Sequence, residues 1–245
     1  MNKNNIISLT VMTLLATAVQ AVSAEQQPGT GFIEGSQLSV LNRNYYYNSD
    51  NHSGGKDGRE WGHSILSAFT SGYTSGTVGF GLDAHAYLAL KLDSGRGRNR
   101  SDMFPMKSNG ASRDESTSAG AAVKMRISRS ELKYGDLRPY NPVFALADTR
   151  MFPATATGFM FTSSEIDDLY IDAGHFTSGK DYNQTHGDGD FFAGYAGVKG
   201  GNVDYLGGSY GIDDNTSVTL YTSRYEDLWR QHYLNGNYTL PLGEQ

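Results

Sequence analysis

The residues that could do chemistry in this chain are cations set on alternating runs. In residues 116–128 (STSAGAAVKMRIS), Lys124 and Arg126 share one face, while Ala119, Ala121, Val123, Met125 and Ile127 take the other. Lys91 stands with Asp83 and His85 on the polar face of a long run at 78–93. Arg43 lies in SQLSVLNRNYYYN at 36–48, where the alternation is less regular. A cation placed this way can pair with a wall carboxylate such as Asp83 or Asp93, or it can stay free to attract an anion. The spacing leaves both open. An arginine among them offers a planar fork that suits a carboxylate.

Three other patterns imitate chemistry. Gly79-Phe80-Gly81 is followed by no helix, so it is not a dinucleotide fingerprint. HGDGD at 186–190 lacks the spacing and the closing Glu of a calcium loop. RGRNR at 96–100 is a short basic run that reads as an external loop meeting anionic lipopolysaccharide or solvent. A net charge of −6 argues against a nucleic-acid partner. No cofactor or metal is expected.

The elements that carry these cations are β-strands. From Val78 the even positions run Val, Phe, Leu, Ala, Ala, Leu, Leu, Leu, and the odd ones are small, polar or charged. That is period-two alternation over about sixteen residues, against ~5–6 for an ordinary strand. It fits a tilted strand in a membrane barrel, apolar outside and polar inside. Ten such segments follow one another: 36–48, 59–73, 78–93, 116–128, 131–137, 158–165, 169–177, 203–212, 216–226 and 231–242. Connections alternate short and long until a short one after the ninth, which is the rhythm of periplasmic turns and external loops. Aromatic residues near strand ends (Tyr45-Tyr46-Tyr47, Trp61, Tyr73) suggest interfacial girdles. The expected class is all-β, a transmembrane antiparallel barrel. A mean hydropathy of −0.47 does not oppose this, because only alternate residues meet lipid.

Residues 1–24 combine Lys3, an apolar core and Ala21-Val22-Ser23-Ala24, the pattern of a secretory signal peptide cleaved after Ala24. The barrel domain would then run from 25 to 245. The exported part holds no cysteine, so no disulfide framework stabilises it. Residues 138–157 carry three of the six prolines and cannot be a central strand. Val143-Phe144-Ala145-Leu146 is apolar enough to pack on something.

Five blocks of the chain, GTVGFGLDAHAYLALKLDSGRGR, GFIEGSQLSVLNRNYYYN, LKYGDLRPYNPVFALADTRMFPATATGF, SSEIDDLYIDAGHFTSGK and YEDLWRQHYLNGNYTLPLG, carry a family resemblance. In them the chain resembles the porin D family, the outer-membrane carboxylate channels. The resemblance implies a barrel of ~18 strands in the outer membrane of a Gram-negative bacterium. It implies passive diffusion of small carboxylate-bearing solutes (amino acids, organic acids, some antibiotics), with outer-membrane lipid around the wall. Ten strands to Gln245 would be the N-terminal half of such a barrel, needing a second chain to close.

The resemblance also assigns roles. Residues 138–157 match the constriction loop, with Asp148, Thr149 and Arg150 as candidates for the eyelet. Arg43, Lys91, Lys124 and Arg126 become candidates for a basic ladder that guides a carboxylate, because a cation lowers the barrier for an anion in a narrow pore. His175 falls where a pore residue is implied, although alternation groups it with Leu169, Ile171 and Ala173 on the apolar side. The family's proposed peptidase activity would pair His175 with Asp227 as acid and base, so the alternative readings are an exported serine-peptidase-like hydrolase or a non-functional truncated porin fragment.

Overall fold

A computed structural model describes residues 31–52, 54, 57–94, 101–193 and 197–240. The expected leader, the basic run at 96–100 and residues 241–245 lie outside the described residues. The strands are β1 (Gln37–Ser49), β2 (Gly58–Thr70), β3 (Val78–Ser94), β4 (Glu115–Ile127), β5 (Ser130–Leu137), β6 (Tyr140–Asn141), β7 (Phe144–Ala145), β8 (Thr155–Ser163), β9 (Leu169–Lys180), β10 (Phe191–Ala193), β11 (Val198–Gly200), β12 (Val203–Asp213), β13 (Thr216–Tyr225) and β14 (Trp229–Tyr238). Ten of them form one sheet in the order β1-β2-β3-β4-β5-β8-β9-β12-β13-β14, antiparallel throughout. β6 pairs β7 and β10 pairs β11 as small ribbons within two of the external connections.

Alternation sorts the two faces. On β3, Phe80, Leu88, Leu90 and Leu92 are exposed outward, while Tyr87 and Ala89 are buried inward. β4 continues the pattern, with Val123 outward and Ala122 and Lys124 inward. Because register is kept from strand to strand, the apolar sets of neighbouring strands merge into one outward belt. Bulges interrupt the ladder at Trp61/Gly62, Thr157/Gly158 and Gly211/Asp213.

Several boundaries differ from the sequence expectation, β9 running to Lys180 and β14 spanning Trp229–Tyr238, and two of the differences bear on the interior. The second strand ends at Thr70, not Tyr73, because Ser71 leaves the ladder: its N–H donates to Leu82 O at 2.8 Å, and its hydroxyl accepts from Leu82 N at 2.7 Å. The chain then turns inward, and Tyr73 is buried instead of joining a girdle. The sixth strand starts at Thr155, three residues early. Of the three consecutive tyrosines, Tyr46 is exposed on the outer side beside Trp61, whereas Tyr45 and Tyr47 pack against the interior.

The interior is filled by the external connections folding back. Phe144 lies 5.2 Å from the Phe176 ring and 5.8 Å from Phe191, near Val203, Tyr205 and Tyr221. Met151 and Phe152 join Met103, Phe104, Tyr87 and Ala89. Gly62 makes room for this second cluster: a Cβ there would meet Phe104 Cζ at 2.8 Å. Glu60, fully buried on β2, accepts hydrogen bonds from Ser101 and Ser112 and ties the 101–114 segment to the wall.

Candidate functional site

The apolar stretch expected to pack in 138–157 does so, and it carries Asp148, Thr149 and Arg150 against the inner wall. Arg43 reaches inward from β1. Its Nη1 donates to Asp148 Oδ1 at 2.7 Å and to the Arg150 carbonyl at 2.6 Å. Arg138, just past β5, donates from Nη2 to Asp148 Oδ2 at 3.1 Å. One carboxylate therefore serves two arginines. Burial acts to raise the Asp148 pKa, but the Arg43 hydrogen bond and the Arg43 and Arg138 charges outweigh it and hold the carboxyl below its ordinary value.

Arg150 is held differently. Its Nε donates to Ser101 O at 2.6 Å and its Nη1 to Thr149 O at 2.8 Å. Its guanidinium lies 5.8 Å from the Tyr47 ring and 5.6 Å from the Tyr182 ring. Among the described residues no carboxylate lies within ion-pair distance of it. Asp181, just beyond β9, is nearby. Burial pushes the Asp181 carboxyl up and the Asp102 charge adds to this, against Arg150 and the Tyr182 N–H.

Next to this constriction, Lys180 Nζ meets Asp136 Oδ2 at 2.5 Å and donates to Ala119 O at 3.0 Å. His85 Nε2 is 3.6 Å from the same carboxylate, and its ring stacks on Tyr87 at 4.7 Å. Toward the short turns, Asp83 takes Lys124 at 2.8 Å and Lys133 at 3.0 Å. Lys133 also meets Glu131 at 3.2 Å, and Glu131 accepts the Tyr73 hydroxyl. Arg126 lies 4.3 Å over the Tyr73 ring, with no carboxylate in ion-pair reach among the described residues. A cation there keeps its charge uncompensated.

The expected ladder therefore divides. Arg43 is at the constriction but paired. Lys124 is inward but buried against Asp83. Lys91 sits at the external rim, its Nζ 2.7 Å from Asp114 and 3.0 Å from Ser112 O. Asp114, exposed, is pushed down to about 2 by hydrogen bonds from Lys107 and Lys91. Arg126 and Arg150 are the two of the predicted cations without a carboxylate partner among the described residues.

A family model for outer membrane porins of the OprD family matches residues 30–245. The chain belongs to the OprD family of outer membrane porins. Its place is accordingly the outer membrane of a Gram-negative cell. It is 46% identical to Porin D of Pseudomonas aeruginosa over 222 residues, which are 91% of this chain and 50% of Porin D. It is 32% identical to Porin-like protein GalP of Pseudomonas putida, over 96% of this chain and 58% of GalP. The chain thus spans about half the length of these relatives. Its fold superposes on P. aeruginosa OpdK solved with vanillate, at a TM-score of 0.80 and 33% identity, covering 87% of this chain and 55% of that one. A BenF-like porin from Pseudomonas fluorescens matches at 0.81 and 30%, covering 87% and 56%.

The OprD-family resemblance placed His175 in the pore, and the geometry does not. Inward residues of β9 are Asp172 and Phe176, so His175 points outward with its cross-strand partner Asp204, Nδ1 to Oδ1 at 2.7 Å. A bulge in the adjoining ladder lies at Thr157/Gly158, beyond His175 on the external side, and does not turn it inward. Nor is His175 paired with Asp227: the carboxylate beside it belongs to Asp204, and Asp227 sits in the β13–β14 turn at φ 61°. Sequence reasoning missed Arg138, Lys133, Lys180 and Asp136. Alternation across Glu131, Lys133 and Gly135 could have found Lys133, since Tyr134 is plainly outward. Arg138 lies in an irregular segment with no periodicity to read.

Proposed function

We propose that this chain supplies wall and constriction for an outer-membrane channel that passes small carboxylate-bearing solutes by passive diffusion, with its outward apolar belt against lipid. The observation that carries this reading is Arg150. It is a cation fixed at the constriction by carbonyl oxygens and aromatic rings, so its charge is not cancelled at contact. Arg126 repeats the arrangement nearer the short turns. Two such charges along a narrow pore lower the barrier for an anion without holding it tightly, and weak multiple sites are what conduction needs. Vanillate, held by OpdK, is an aromatic carboxylate, in keeping with organic acids as the solutes. Asp102 and Asp181 near Arg150 suit a solute that also carries an amino group, such as an amino acid.

The test is ion selectivity in planar bilayers with the barrel wall complete. Arg150→Gln removes one charge about 5 Å from a passing ion, worth about 0.8 kcal/mol in a watery pore, so anion permeability falls about fourfold, cation permeability rises about as much, and their ratio falls by about an order of magnitude. Lys91→Gln, which removes a cation paired at the rim, changes it less than about twofold. An unchanged ratio in Arg150→Gln sinks the proposal.

A further inference from the structure

The outer face of the last four strands of the sheet ends in a row of charged groups. The registers set His175 opposite Asp204, Asp204 opposite Arg224, and Arg224 opposite Arg230. Parity places the row outward: Leu206, Leu220 and Leu234 share its face and are exposed, while Val203, Tyr205, Tyr221 and Ser223 point inward and are buried. The row lies at the external limit of the wall. β13 ends one residue after Arg224 and β14 begins one residue before Arg230, with only residues 226–228 between. Leu220 and Leu234, opposite each other, are four residues lower, about 10 Å along the membrane normal for a strand tilted ~40°. That sets the arginines at headgroup level above an apolar belt.

Two arginines directly opposite each other repel. Among the described residues neither has a carboxylate within ion-pair distance. Asp204 is taken by His175 at 2.7 Å. Glu226 accepts from Asn202 N at 3.1 Å, and Asp227 lies in the turn itself. One step lower, His232 faces Thr222, Nδ1 to Oγ1 at 3.0 Å. The row thus carries a cationic pair with no carboxylate partner among the described residues, and leucines lie beneath it.

We propose that Arg224 and Arg230 form a docking site for the phosphate of an acylated glycolipid of the outer leaflet. Two guanidinium forks side by side offer parallel donors to one phosphate, relieving their repulsion. Acyl chains then lie along Leu206, Leu220 and Leu234. The site rests on the membrane placement of the wall and is independent of the channel reading.

The test uses the outer-membrane protein carrying this chain, in detergent with EDTA, titrated with fluorescent diphosphoryl lipid A. Its dephosphorylated form serves as comparison and inorganic phosphate as competitor. The diphosphoryl form is expected to bind at least about tenfold more tightly than the dephosphorylated one, and Arg224→Gln with Arg230→Gln to remove that advantage. A charge-matched pair on exposed external segments, Lys107→Gln with Lys199→Gln, is expected to leave it unchanged. Millimolar inorganic phosphate is expected not to displace the lipid. Equal binding of the two lipid forms, full binding by the arginine double variant, or an equal loss in the lysine pair would overturn the site. Displacement by inorganic phosphate would reduce it to a bare anion site and overturn the glycolipid assignment. Conductance unchanged in the arginine variant separates this outcome from any failure of the channel reading.

Discussion

Asn141→Ala should loosen the constriction without unfolding the wall. Asn141 is the link between the two. Its Nδ2 donates to Asp172 Oδ2 on β9 at 3.2 Å, and its Oδ1 accepts from Val143 N at 3.1 Å and Phe144 N at 2.8 Å. Asp172 is fixed in turn by the Tyr205 hydroxyl at 2.9 Å and by Tyr221. A hydrogen bond to a charged group contributes about 1.5–3 kcal/mol, and each buried N–H left without a partner costs about 1–3 kcal/mol. Taking the low ends, and letting water recover a little, gives about 3 kcal/mol, or some 150-fold in the local opening equilibrium. Hydrogen exchange read by mass spectrometry on a peptide covering 139–147 measures it in the assembled barrel. Tyr225→Phe supplies the graded comparison. It removes one neutral bond, from the hydroxyl to Val143 O at 3.0 Å, worth about 1 kcal/mol and about fivefold. Acceleration below about threefold in Asn141→Ala would refute the latch. Equal acceleration in β8 and β9 would show that the wall had opened instead.

Two further outcomes follow from the charges. Asp83→Asn leaves Lys124, whose side chain is 2% exposed, without its carboxylate and should cost about 3–5 kcal/mol, read as a lower temperature for loss of the compact band on gels. Adding Lys124→Met should recover most of it; no shift in the first variant would contradict the pairing. For Asp148 the folded pKa lies below the ordinary 3.8, so its contribution is complete above pH 3.8 and is lost as pH falls through the lower folded value. The part of the conductance change that Asp148→Asn abolishes should therefore appear only below about pH 4. A transition near pH 5 in that part would count against the Arg43–Asp148 contact.

The wall was legible because period-two alternation is a local property of the sequence. Ten segments, their order and the outward leucines all follow from it. Boundaries failed where a side chain overrode the period, as at Ser71, whose hydroxyl replaces a ladder partner and swings Tyr73 inward. His175 shows the reverse. Its alternation with Ile171 and Ala173 indicated the outer face, and the resemblance suggested otherwise. The physical signal was the better guide. That segment 138–157 packs inward could be expected from its apolar stretch, but its contacts could not be read. Arg138 meets Asp148 only because a proline-rich segment folds back, and no spacing in the sequence encodes that contact.

What remains is why so few of the basic residues shape the field of the pore. Arg43, Lys91, Lys124, Lys133, Arg138 and Lys180 each have a carboxylate within 4.0 Å. A low-exposure wall requires this, since an unpaired buried ammonium is costly. Such pairs hold the structure and nearly cancel at a distance. A cation can keep its charge only if neutral groups satisfy its donors, and guanidinium, with a planar fork and weak hydration, is suited to carbonyl oxygens and ring faces. That is how Arg150 is held, by carbonyl oxygens and ring faces, and Arg126 lies over the Tyr73 ring face. Replacing either by lysine keeps the formal charge but not the donor geometry, so the ammonium must seek another partner. For Arg150→Lys one candidate is Asp181, which already feels the charge at position 150. Arg150→Lys should then lose much of the anion preference that Arg150→Gln loses. A lysine variant with full preference would show that charge alone, not the manner of its support, sets the selectivity.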